Sequence, residues 1–295
     1  MVRKIMNLFD KIASKEKIEK GWSGDKKYCV SDKEGRKYLL RISPIEQYER
    51  KKSEYDLMNQ VAKLNVPMCL PLEFGICDEG VYSIQSWIDG VDAESAAANL
   101  SYDEQYDYGV EAGQILKKIH SIPAPDDIEG WADFFNRKID RKIKAYEECP
   151  LKYENGQVLL DYISTHRHLL TNRPRTYQHG DYHVGNMMIG MDRKLYIIDF
   201  NRNDFGDPWE EFNRIVWCAQ AMPLFAKGMV DGYFDNNVPV VFWELLALYI
   251  SSNTLSSLPW AIPFGEGEIN VMIKQANDIL SWYDNMKNPI PSWYK

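Results

Sequence analysis

The sequence predicts an α+β fold in two lobes: a small β-rich part over residues 1–88 and a larger, mainly helical part over residues 89–295. Three observations support this. Strand-like runs separated by polar turns dominate before Gly90, helical periodicity dominates after it, and no repeat or low-complexity linker divides the chain. With 295 residues, 45% hydrophobic and 26% charged, the chain falls in the globular class and has volume for a sizeable core.

In the first part, Lys27–Val30 and Lys37–Ile42 read as strands on either side of the polar turn Ser31-Asp32-Lys33-Glu34-Gly35, which makes a hairpin. Ahead of it lies the loop Gly21-Trp22-Ser23-Gly24-Asp25-Lys26, whose backbone N–H groups at Ser23 and Gly24 suit an anion such as a phosphate. The loop is not G-x-G-x-x-G, and an ordinary turn fits it equally. A helix over residues 47–64 follows, with Tyr55, Leu57, Met58 and Val61 apolar and Glu54 one turn before Met58. Tyr82–Gly90 has the pattern of a buried strand ending in a turn. In the second part, Ser101-Tyr102-Asp103-Glu104 is a capping box that opens a helix to about His120, with Val110, Ile115, Leu116 and Ile119 on its apolar face. Further helices are expected over 131–147, 209–221, 238–256 and 267–286.

The densest chemistry lies in Gln178-His179-Gly180-Asp181-Tyr182-His183-Val184-Gly185-Asn186. Two short apolar strands, Met187–Ile189 and Leu195–Ile198, then flank a Gly190–Lys194 turn and lead to Asp199-Phe200. Kinases place a catalytic Asp five positions before a metal-binding Asn, with a second metal-binding Asp beyond a following strand and turn. By that spacing Asp181 accepts the proton of an acceptor hydroxyl, and the hairpin is expected to fold Asp199 back beside Asn186 as the two ligands of Mg²⁺. That cation prefers hard oxygens and is commonly held by one or two protein groups plus water and substrate phosphates. A zinc site on His179 and His183, four residues apart, is disfavoured because Gly180 and Gly185 oppose a helix there. The same template puts Arg41 in the place of the lysine that contacts nucleotide phosphates, with Glu54 as its expected partner. Arginine supplies a planar fork where lysine supplies a point charge.

These motifs resemble those of the aminoglycoside phosphotransferase family, which has the protein-kinase-like fold. Its pattern H-G-D-x-H-x-x-N, I-D-F/W and G-D-P appears here as His179–Asn186, Ile198-Asp199-Phe200 and Gly206-Asp207-Pro208. Glu211 stands where the family usually has a second Asp after G-D-P, and Asn201 follows Asp199-Phe200 where protein kinases have Gly. The resemblance implies a bilobal fold and a Mg²⁺-dependent O-phosphotransferase that uses ATP or GTP, with an aminoglycoside as the leading acceptor and antibiotic resistance as the role. It also implies that backbone groups of Ser86 and Ile88 bind the purine. Choline, fructosamine, methylthioribose and macrolide acceptors stay open, as does a nucleotide-binding pseudokinase.

Charge and composition narrow the partners. Residues 1–90 hold 16 Lys and Arg against 14 Asp and Glu, whereas the rest of the chain holds 19 against 29, within a net charge of −8. An acidic second part disfavours nucleic acid and suits a cationic small molecule. Candidate acceptor carboxylates are Asp204, Glu210, Glu211, Glu266 and Glu268, each of which also reads as a solvated acid or a helix N-terminal charge. Trp209, Trp217, Trp243 and Trp260 are candidate pocket walls or core. Five cysteines without C-x-x-C spacing fit a reducing compartment, and no apolar run reaches the ~20 residues of a membrane helix, so a cytoplasmic protein with no membrane partner is expected.

Overall fold

The structure, a computed structural model, describes residues 7–19 and 24–295, so the expected phosphate contact Ser23 lies outside the described residues. Two compact units emerge. One comprises the described residues up to Asp92 together with Met187–Asn201; the other comprises Ala93–Asn186 and Arg202–Lys295.

The first unit is built on a five-stranded antiparallel sheet. Its strands are β1 (Ile12–Ile18), β2 (Lys26–Asp32), β3 (Lys37–Ser43), β4 (Pro71–Cys77) and β5 (Gly80–Ser86), in the order β1-β2-β3-β5-β4. Period-two alternation divides its residues by face. Val30, Leu40, Ile42, Tyr82 and Ile84 form a buried apolar cluster that Phe9, Ile12, Tyr28 and Tyr38 extend. The alternate residues carry polar groups: Lys27 pairs with Arg41, and Arg41 with Ser83, so the three form one row across β2, β3 and β5. Helix α1 (Tyr48–Ala62) buries Lys51, Glu54, Met58 and Val61, and Met58 receives the Gln85 side-chain amide from β5. A second sheet joins β6 (Gly90–Asp92), β8 (Met187–Gly190) and β9 (Leu195–Ile197) in the order β6-β8-β9.

The second unit is mainly helical: α2 (Ala93–Ala96), α3 (Tyr102–Ile119), α4 (Trp131–Glu148), α5 (Gly156–His166), α6 (Ile215–Ala221), α7 (Pro223–Phe234), α8 (Val240–Ala261) and α9 (Glu266–Trp282). A two-stranded ribbon pairs β7 (Thr176–Gln178) with β10 (Asp204–Gly206). The capping box at α3 is present in full, with Glu104 N–H donating to the Ser101 hydroxyl and Ser101 N–H donating to the Glu104 carboxylate. Helix α8 buries Leu245, Leu246, Leu248, Ile250, Leu255 and Leu258. The helix expected over 209–221 begins instead as a 3₁₀ segment, Glu210–Arg214, and becomes α-helical at Ile215.

Helices α3 and α7 approach closely through facing glycines, Gly109 and Gly113 on one and Gly228 and Gly232 on the other. A Cβ at any of the four would collide with a main-chain carbonyl of the opposite helix, those of Phe225, Met229, Tyr106 and Val110 respectively. Alanine at Gly113 should therefore destabilise the protein by about 1–3 kcal/mol through overpacking, although alanine is the better helix former. Urea unfolding of Gly113→Ala checks this; a gain in stability would show that propensity outweighs the close approach.

Candidate active site

In the second unit the chain leaves β7 at Gln178 and enters the loop that carries Asp181. Gly180 takes φ +83°, and a Cβ there would collide with the Arg202 carbonyl, so both the backbone turn and the close approach require glycine. The Glu211 carboxylate holds both flanks of Asp181. It accepts from the N–H of Gly180 at 3.0 Å and of Tyr182 at 3.3 Å, and it is 1% exposed. Burial alone would raise its pKa, but His120 at 3.8 Å, the nearby His179 and the Gly180 N–H outweigh burial and hold it below its ordinary value. The fully buried Tyr182 donates its hydroxyl to the Ala112 carbonyl, which fastens the loop to α3.

Asp181 itself is partly open, with 18% of its side chain exposed. Arg214 Nε lies 3.3 Å from its carboxylate, and Arg202 Nη1 and His183 Nε2 lie at 3.7 Å. Burial favours protonation, yet His183, Arg214 and Arg202 prevail and hold the carboxyl well below the ordinary carboxylate range. Asn186, at the end of the 3₁₀ turn Val184–Asn186, donates its amide to the Asp181 carbonyl at 2.9 Å and to its carboxylate at 3.2 Å. Its oxygen, Oδ1, accepts no hydrogen bond among the described residues and is a hard donor of the kind Mg²⁺ takes. Trp217 stands beside His183, with ring centroids 6.3 Å apart.

The first unit holds a second charged cluster. Arg41, 4% exposed on β3, donates Nε and Nη2 to Asp25 at 3.1 and 2.9 Å and Nη1 to Asp199 at 2.8 Å. The expected Arg41–Glu54 pair is not formed: Glu54 accepts instead from Lys51 at 3.2 Å, and Lys51 also reaches Asp25 at 2.8 Å. Asp25, immediately before β2, is near enough to satisfy the arginine fork, and one α1 turn separates Lys51 from Glu54. Burial opposes ionisation of Asp25, but Arg41, Lys51 and Ser43 bring its pKa down to about 2. Asp199 adopts φ +65°, has 30% of its side chain exposed and keeps Oδ2 without a protein donor among the described residues. It follows the end of β9 by two residues, while Asn186 precedes β8 by one, and Met187 pairs with Ile197 across that hairpin.

Other expected contacts fall differently. Gly24 is exposed, and nothing lies within 4 Å of a Cβ built on it. The Ser86 N–H donates to the Leu70 carbonyl at 2.9 Å, so a purine contact at Ser86 would fall to its carbonyl; Ile88, in the segment between β5 and β6, keeps its backbone groups unbonded among the described residues. Two of the five candidate acceptor carboxylates are internal. Glu211 is the loop fastener described above, and Glu210, 9% exposed, accepts from Gln178 at 3.3 Å and lies 3.4 Å from Lys138. Glu268 is half-buried in the first turn of α9, and Asp204 and Glu266 are exposed. Sequence reading missed Arg202, Arg214 and His120. It also missed the anchoring role of Asp207, which is fully buried and accepts from Arg173 at 2.6 and 2.9 Å and from Tyr249 at 2.6 Å. Lone basic residues carry no spacing signal that would have singled them out.

Known structures share this fold. The aminoglycoside 2'-phosphotransferase-IIIa in complex with GDP is similar at TM-score 0.68 and 15% identity over 94% of each chain. A thermostable aminoglycoside phosphotransferase APH(4)-Ia with ADP and hygromycin B is similar at TM-score 0.63 and 15% identity, over 91% of this chain and 94% of that one. A choline/ethanolamine kinase family protein from Mesorhizobium loti is similar at TM-score 0.66 and 14% identity, over 94% of this chain and 91% of that one. A search of curated sequences finds no match. The protein is a small-molecule kinase. The chain belongs to the phosphotransferase enzyme family, whose model matches residues 16–242.

Glu211→Gln removes the buried charge that holds Gly180 and Tyr182; it should lower kcat at least ten-fold and lower the melting temperature, with little change in acceptor KM. A raised acceptor KM with kcat and stability intact would instead make Glu211 an acceptor contact. Because the folded-state pKa of Asp25 lies below the ~3.9 of an unfolded chain, its contribution to stability is present above about pH 4 and is lost as pH falls toward 2. Asp25→Asn should therefore flatten the fall in stability over that window in acid titrations of urea midpoints.

Proposed function

We propose that the protein transfers the γ-phosphate of ATP or GTP to a hydroxyl of a small molecule, with Asp181 orienting that hydroxyl and accepting its proton. The observation that carries this reading is the loop geometry: one partly open carboxylate, braced through its neighbouring amides by Glu211 and bonded to Asn186 five residues on. Asn186 Oδ1 and Asp199 Oδ2 would hold Mg²⁺, whose charge, when it is bound, offsets that of the phosphates. Arg41 stands on β3 where the kinase template puts the cation of the phosphate site, and backbone groups of Ser86 and Ile88 are the purine contacts we assign. All five cysteines are free, which supports a reducing compartment such as the cytoplasm, where the nucleotide donors are found. No helix among the described residues is long and apolar enough to cross a membrane.

For the acceptor, an aminoglycoside is supported by family membership and by the hygromycin B complex among the similar structures; antibiotic resistance would follow from such an acceptor. A second reading rests on charge. Around Asp181 stand Arg202 at 3.7 Å and Arg214 at 3.3 Å. With Glu210 and Glu211 committed internally, these cations favour an acceptor that carries a carboxylate or few ammonium groups.

Release of nucleoside diphosphate from Mg²⁺-ATP and Mg²⁺-GTP, measured across aminoglycosides, choline, macrolides, sugars and hydroxy acids, separates the two readings. Asp181→Asn should reduce any acceptor-dependent release by about 10²–10⁴-fold while nucleotide affinity survives. Loss of nucleotide binding in that variant, with the fold intact, would remove Asp181 from the assigned role.

A further inference from the structure

Arg41 stands where a phosphate-binding cation is expected, yet the first unit commits that residue heavily. Its Nε and Nη2 are taken by Asp25 and its Nη1 by Asp199, at 4% exposure. Lys51, the neighbouring cation, is likewise tied to Asp25 and Glu54. Lys27 is different. It lies directly across from Arg41 in the β2–β3 register, on the polar face of the sheet, and is half-buried. Burial and the neighbouring Arg41 push its pKa below the ordinary lysine value, against the opposing pull of Asp199 and Asp25. Even so, its ammonium makes no hydrogen bond or ion pair with any described residue. Its neighbour Lys26, by contrast, is exposed and bonds Glu79 at 3.0 Å.

A half-buried ammonium without a partner among the described residues is costly unless an anion completes it. Beside the residue that the template assigns to the phosphates, the anion of matching chemistry is the nucleotide's own polyphosphate. We propose that Lys27, on β2, is a phosphate-binding residue of the nucleotide site and carries direct contact with the donor phosphates, while Arg41 mainly holds Asp25 and Asp199 in place. The inference rests on the nucleotide-dependent reading above. Lysine suits the task, since a point-like ammonium on a flexible stem can follow a polyphosphate, whereas the Arg41 fork is fixed by its carboxylates.

The test is calorimetric titration of the full chain with ATP, GTP, ADP and adenosine, for wild type, Lys27→Met, Lys27→Arg and the neighbouring control Lys26→Met. Melting curves without nucleotide verify folding. Lys27→Met should weaken binding of the better triphosphate by about ten- to a hundred-fold and leave adenosine affinity unchanged. Lys27→Arg should restore most of the loss, and Lys26→Met should bind as wild type. Unchanged triphosphate affinity in Lys27→Met, or an equal loss for triphosphate and adenosine, overturns the assignment and leaves the kinase reading standing. Failure of the wild-type chain to bind either triphosphate overturns that reading, and this assignment with it.

Discussion

The buried carboxylate of Glu211 is the constraint on which the Gly180–Tyr182 loop depends. A charge at 1% exposure survives only where donors and cations compensate it, and here two backbone amides and two imidazoles do so. Those amides belong to Gly180 and Tyr182, the residues on either side of Asp181, so fixing them fixes the direction in which the Asp181 side chain leaves the main chain. Gly180 allows the turn, Tyr182 ties it to α3, and Glu211 closes it. The family usually carries Asp at this place. Glutamate keeps the charge, and its longer stem spans to both amides in this chain.

The two clusters solve a common electrostatic problem in different ways. Around Asp181 one carboxylate faces three basic side chains, so it stays ionised and partly open. Around Arg41 the carboxylates of Asp25, Glu54 and Asp199 offset the cations Arg41 and Lys51, and most of the donors are consumed internally. Buried ion pairs of this kind add little net stability against desolvation, and their effect is geometric. Arg41 sets the position of the Asp199 carboxylate, while the left-handed backbone at Asp199 exposes its other oxygen.

What the sequence made legible was local. The capping box at Ser101, the hairpin between β2 and β3 and the Asp181–Asn186 spacing are each written within a few residues, and each appears in the fold. Strand β1, Ile12–Ile18, was hidden because its central residues are charged and exposed, which masks alternation at a sheet edge. Helix α7 was hidden by Gly228 and Gly232, poor helix formers that are present for contact with α3. The kinase template pointed to Glu54 as the partner of Arg41, and Asp25 could not be read in its place because only the strand register and the α1 turn bring it there. Glu210 and Glu211 looked like surface acids in a helix's first turn. Their burial depends on Gln178, Lys138 and the loop amides, all at least 29 residues away along the chain.

The low pKa of Asp181 bears on how a residue in the proposed role would act. A strong general base has a pKa near the working pH, and a carboxylate held below its ordinary range is a weak one. Phosphoryl transfer lessens the need for a strong base: bond formation to the attacking oxygen lags in a loose transition state, so the hydroxyl proton becomes acidic only late. A weakly basic carboxylate that is always ionised can still accept a hydrogen bond from that hydroxyl throughout and hold it in line. The cations that weaken Asp181 as a base also keep it charged across the physiological range. The arrangement thereby favours orientation over proton abstraction, consistent with a loop whose every fastening fixes position.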